Sequence, residues 1–160
     1  ADITGLAAST AFTVYIVTAD AAAVPNVAAS VRAVHLTTPD ETAPAFVAGF
    51  PSEGATNDGD SLDIDVQLDE AGACFAVAVA RGAAQPTVVD VLAGQASGGG
   101  LALSAGSVIV AAAATTATIS LGSVPDESDL DIWIACKDAT INVQAAASVL
   151  EVSTPDVTAP

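Results

Sequence analysis

Nineteen carboxylates and a single histidine define the chemistry this chain could attempt. Asp58, Asp60, Asp63 and Asp65 form one acidic cluster, and Asp126, Glu127, Asp129 and Asp131 form a second. Asp40, Glu41 and Asp156 sit at repeat boundaries. Calcium needs several oxygen ligands converging at about 2.3–2.6 Å. The boundary carboxylates could hold such an ion and stiffen a joint, which makes calcium the one cofactor to consider. The strand aspartates alternate outward and diverge, and no EF-hand spacing occurs, so both clusters read as solvated acidic faces that discourage edge-to-edge association. A carboxylate pair could in principle serve glycoside hydrolysis. However, one Trp, one Tyr and four Phe leave little to hold a sugar. His35 alternates with Val34 and Leu36, as a solvent-facing strand residue does, and no nucleophile-elbow motif accompanies it. Gly98-Gly99-Gly100 lacks the Lys and the following helix of a phosphate loop and reads as a flexible connection. No residue is expected to be catalytic, and the chain is not expected to be an enzyme.

The elements that must position these side chains are strands. Leu62, Ile64, Val66 and Leu68 alternate with Asp63, Asp65, Gln67 and Asp69, a period of two over eight residues. Leu130, Ile132 and Ile134 alternate with Asp131 and Trp133, and Phe12, Val14 and Ile16 alternate with Thr13 and Tyr15. Turn residues separate the runs: Pro51–Gly54, Asn57–Asp60, Asp69–Gly72, Ala105–Ser107 and Pro125–Glu127. The expected strands of the complete unit are about 44–50, 61–69, 73–81, 87–92, 107–111, 116–121, 129–137 and 145–153. Residues 86–92 are open to a short helix or an edge strand. Seven or eight short strands with regular turns predict an all-β sandwich.

Charge narrows the partners. Three basic residues against nineteen acidic ones give a net charge of −16, which excludes nucleic-acid binding through phosphate neutralisation and argues against an anionic membrane surface. Hydrophobic residues make up 52% of the chain, too many for an acidic disordered tail. No run of eighteen uncharged apolar residues is free of turn formers, so no membrane insertion is expected in this segment. The absence of Met, even at position 1, suggests an excerpt or a processed product.

An internal repeat organises the chain. Thr37–Pro44 recurs as Ser153–Pro160 with Pro39 matching Pro155, an offset of 116, and Asn26-Val27 matches Asn142-Val143 at the same offset. Ala1–Thr4 matches Ala117–Ser120 likewise, whereas Val14-Tyr15-Ile16 matches Ile132-Trp133-Ile134 at 118. Two extra residues near Leu121 and two fewer near Thr140 reconcile the offsets. The division expected is 1–38 as the last three strands of a preceding sandwich, 39–154 as one complete repeat, and 155–160 as a linker into the next. Pro39, Pro44 and Pro155 would stiffen the boundaries. A three-strand piece cannot close a sandwich, so the remainder must come from the full protein or from another subunit.

Asp40–Pro44, the strand ending Gln67–Gly72 and the following Cys74–Val79 resemble the immunoglobulin-like or fibronectin-type-III-like tandem domains of large extracellular surface proteins. Ala83–Thr87 running into Val91–Gly94 is similar to repeats of algal and protist flagellar surface proteins of the mastigoneme type. The resemblance covers roughly residues 40–154 and implies an extracellular structural or adhesive role. In an immunoglobulin-like order Cys74 and Cys136 fall on the third and sixth strands, neighbours in one sheet, with their sulfurs level. The resemblance therefore implies a Cys74–Cys136 disulfide between adjacent strands, against the alternative of two buried free thiols. The loop it closes is worth about 4 kcal/mol in the chain-entropy model. A disulfide favours an oxidising, extracellular setting. No Asn-x-Ser/Thr site occurs, since Asn26, Asn57 and Asn142 all fail the pattern. Tyr15 and Trp133 match between units on the outer strand face, where they either pack against a neighbouring element or form an inter-subunit contact.

The expectation is a structural repeat of a filament or surface appendage at the cell or flagellar surface, with other copies or subunits of that filament as partners. The alternatives are an adhesin-type binding module and a spacer in a secreted multidomain enzyme.

Overall fold

The computed structural model describes residues 2–157. Ala1 and Thr158-Ala159-Pro160, which end two of the repeat matches and the 155–160 linker, lie outside the described residues. The chain divides into two compact units, Ala1–Glu41 and Thr42–Pro160. The first holds one antiparallel pair, β1 (Ala11–Ile16) and β2 (Arg32–Thr37). Its residues 2–10 form no strand, so two strands stand where three were expected; the matching Ala117–Ser120 is extended because it has a sheet partner.

The second unit is an antiparallel β-sandwich. It comprises β3 (Ser52–Asn57), β4 (Ser61–Val66), β5 (Gly72–Ala80), helix α1 (Val88–Leu92), the short ladder β6 (Gln95–Ala96) with β7 (Gly100–Leu101), β8 (Ser104–Val110), β9 (Ala117–Gly122), β10 (Asp129–Asp138) and β11 (Ser148–Ser153). One sheet runs β3-β4-β9 and the other β11-β10-β5-β8. Leaving aside the two-residue ladder, β5 and β10 are the third and sixth strands, side by side as in an immunoglobulin-like order.

Alternation in the sequence builds the core. Leu62, Ile64 and Val66 of β4 with Ile119 and Leu121 of β9 face Leu130, Ile132 and Ile134 of β10, all completely buried. The four-stranded sheet is covered on its other side as well. There α1 sets Val91 against Val77 and Ala135, with Phe75 and Trp133 packed alongside. Burial on both faces explains why Ala76–Val79 reads as a continuous apolar run.

Of the two readings open for residues 86–92 the helix holds, over Val88–Leu92, because Thr87 and Asp90 make a capping box. Other local expectations give way. The first strand is β3 and not 44–50: Gly49 turns with φ +93, Pro51 offers no N–H, and Phe46 keeps only an isolated bridge to Leu68. Residues 105–107 lie inside β8 and not in a turn. A Cβ on Gly106 would sit 2.7 Å from the Ser120 carbonyl, so glycine is there for close approach to β9. Gly54 does the same for β3, where a Cβ would come within 2.8 Å of Asp63 Cβ.

Candidate functional site

The β1–β2 hairpin reproduces β10–β11 residue for residue. Phe12 pairs with Leu36, Val14 with Val34 and Ile16 with Arg32. At offsets of 118 and 116, Leu130 pairs with Val152, Ile132 with Leu150 and Ile134 with Ser148. Beyond the strands, the bridge Ala19 to Val27 is matched by Lys137 to Val143.

Side chains brace both hairpins alike. Thr38 Oγ1 donates to the Ala7 carbonyl at 2.6 Å and accepts from the Thr10 amide at 3.0 Å. Thr154 Oγ1 donates to the Pro125 carbonyl at 2.7 Å and accepts from the Ser128 amide at 3.0 Å. At the other end, the Asn26 amide and Nδ2 donate to the Asp20 carboxylate at 2.9 and 2.6 Å. Asn142 does the same to Asp138 at 2.7 and 2.8 Å. Hydrogen bonds from the Asn26 side chain and backbone and from the Ala22 amide lower the Asp20 pKa. Burial pushes Asp138 up, but the bonds from Thr140 and Asn142 outweigh it and hold the carboxyl below its usual range. Between the paired Asp and Asn lie residues 21–25 in one hairpin and 139–141 in the other, which locates the two-residue change of offset. Sequence reading noted the Asn match and missed the Asp partner, although Asp20 and Asp138 stand at the 118 offset.

The two hairpins differ in what covers them. Ile132 and Ile134 are wholly buried and Val152 is 2% exposed, whereas Ile16, Val34 and Leu36 are 46%, 45% and 38% exposed, with Phe12 and Val14 half-buried. The backbone edge is open too. Thr10 and Thr18 accept bonds from the Thr38 and Ala28 amides of the returning segment. The alternation of an antiparallel ladder therefore turns the N–H and C=O of Ala11, Thr13, Tyr15 and Val17 the other way. The equivalent residues Asp129, Asp131, Trp133 and Ala135 face β5, and the Arg81 amide donates to the Asp129 carbonyl at 3.0 Å. Among the described residues of the first unit no third strand meets this edge.

Cys74 and Cys136 are directly opposed on β5 and β10 and joined by a disulfide, with Cα atoms 4.1 Å apart. The Cys136 amide donates to Gln144 Oε1 and its carbonyl accepts from the Gln144 amide. Both main-chain groups thus point away from β5, leaving the cysteines at a non-hydrogen-bonded site, where facing side chains approach most closely. Thr18, two residues past the end of β1, occupies the Cys136 place. Trp133 packs beside α1, its indole N–H buried without a hydrogen-bond partner. Tyr15, its counterpart, is 72% exposed.

The acidic residues act mainly one at a time. Ser120 Oγ donates to Asp63 at 2.7 Å and Thr118 Oγ1 to Asp65 at 2.6 Å, along the outer face of the β4–β9 pair. The bond from Ser120, with a second from Thr56, lowers the Asp63 pKa. Asp58 Oδ1 accepts from the Asp60 and Ser61 amides and shapes its turn. Arg81 gathers three others: its guanidinium lies 3.1 Å from Asp129, 3.7 Å from Asp131 and 3.9 Å from Glu151, and it donates to the Leu130 and Val152 carbonyls. Sequence reading did not single out Arg81; its rarity as a cation was the available signal. His35 is exposed on β2, with Nδ1 3.0 Å from Thr13 Oγ1 across the ladder. Gly98 and Gly99 adopt positive φ in a short 3-10 turn between β6 and β7.

Comparison with protein families and with curated proteins gives no match to this chain.

Proposed function

We propose that this chain is a stretch of a tandem β-sandwich protein working outside the cell, as a non-catalytic structural repeat of a filament or surface appendage of the mastigoneme type. Its partners are other copies or subunits of the same filament. The observation that carries this reading is the duplicated hairpin: the same register, the same Thr brace and the same Asp–Asn loop clamp occur twice in one chain. Repetition of a complete hydrogen-bonding scheme is what a polymer of similar domains requires, since each copy must fold alike to be stacked. The Cys74–Cys136 bond suits an oxidising compartment, and no described helix is long and apolar enough to cross a membrane. Electron microscopy of the native material tests the assignment. Filaments with a regular axial spacing are expected; isolated compact particles would overturn it.

A further inference from the structure

We propose that the β1–β2 hairpin is the sixth and seventh strand of another sandwich, docking onto a five-stranded acceptor that precedes it on the same polypeptide and runs directly into Gly5. The second unit supplies the template. There the equivalent hairpin pairs along one edge with β5 and lays its apolar face on β4 and β9. Carried across by the 118 offset, Phe12, Tyr15 and Thr18 would stand opposite the acceptor's counterparts of Ala80, Val77 and Cys74.

The connection into the hairpin points to an acceptor on the same polypeptide. In the second unit Ser123–Ser128 lead from β9 into β10. Residues 5–10 repeat that path: Gly5 and Ser123 have φ +74 and +57, and Ser9 and Glu127 have φ +49 and +45. Ser9 and Glu127 each donate a main-chain bond to the proline that follows the Thr brace, Pro39 and Pro155. A second copy of this chain is a poor acceptor, because its own five strands are already closed by β10–β11 and locked by Cys74–Cys136. The hairpin has also lost the groups those strands bind. Thr18 replaces Cys136, and Ala11, Thr13 and His35 replace Asp129, Asp131 and Glu151, the acidic partners of Arg81. The acceptor therefore needs neither a cysteine at its counterpart of Cys74 nor a cation at its counterpart of Arg81.

The test is a chain in which a copy of residues 42–122, carrying C74V and R81S in that copy alone, is joined directly to residues 5–160. Amide hydrogen exchange is compared with that of the 160-residue chain. The extended chain should be monomeric, and the Thr13, Tyr15 and Val17 amides should exchange at least about 100-fold more slowly. Val14→Asp should abolish that slowing. Unchanged exchange overturns the proposal, as does slowing seen only in dimers, which would make a second molecule the partner. The same two substitutions in the native second unit serve as the folding control. If that unit folds and the extension does not, the hairpin is not the equivalent of β10–β11. If the control unfolds, the extension is repeated with the unsubstituted copy and read by the same criteria. Failure on any arm would leave the mechanical role to be judged by microscopy alone.

Discussion

Arg81 is one of only three cationic residues, and its guanidinium reaches across β10 to the β11 main chain. Charge-assisted bonds of this kind contribute more than neutral ones, though the exposed part of the network is screened. Arg81→Ala should destabilise the second unit by about 1–3 kcal/mol in urea melts. Arg81→Lys should recover only part of this, since an ammonium cannot span two carbonyls and the flanking carboxylates at once. Asp138 makes a prediction about acid. Its folded-state pKa lies below the ordinary 3.8, so its contribution is complete above that value and is lost as pH falls through the folded-state pKa. Asp138→Asn should be less stable than the parent at pH 7, and the two stability curves should converge as pH drops below 4. Parallel curves down to pH 2 would show that the loop clamp carries no linkage.

Exposure separates two strands of nearly identical pattern. Ile132→Ala on β10 should cost about 2–5 kcal/mol, because it empties a filled core site. Val14→Ala on β1 should leave the melting of the second unit unchanged, as scanning calorimetry of both variants can show. The pattern of period two made β4 and β10 legible, since Leu62 to Leu68 and Leu130 to Ile134 obey it without exception. It failed for β3, whose Ser-Glu-Gly-Ala-Thr-Asn sequence has no apolar alternation. That strand exists because the β4 edge offers it main-chain bonds, with the ladder irregular between Glu53 and Asn57. It failed again at β8, where Gly106 looks like a turn residue and is in fact demanded by the backbone of β9. Both errors have one cause: what places the strand is the backbone of another strand, β4 for β3 and β9 for Gly106, and the residues' own pattern says nothing of it. The hairpin and its need of further strands were visible as a sequence repeat, but which edge and which face stand open required the contacts of its counterpart β10–β11 with β5, β4 and β9 to be seen.

At the scale of the whole second unit, the disulfide binds the centre of one sheet and leaves the contact between sheets to packing. Reduction should lower stability by about 4 kcal/mol in the chain-entropy model, measured as a shift of the denaturation midpoint with and without a thiol reductant. The path of the bond has a further result when the protein bears load. Cys74 and Cys136 are 62 positions apart in sequence, so at roughly 3.4 Å per residue the covalent loop withholds about 210 Å of thread from any pull on the ends. Stretched singly between two beads, an oxidised molecule should give way with a jump shorter by about that length than its reduced form, a redox-set stop on how far each link can pay out.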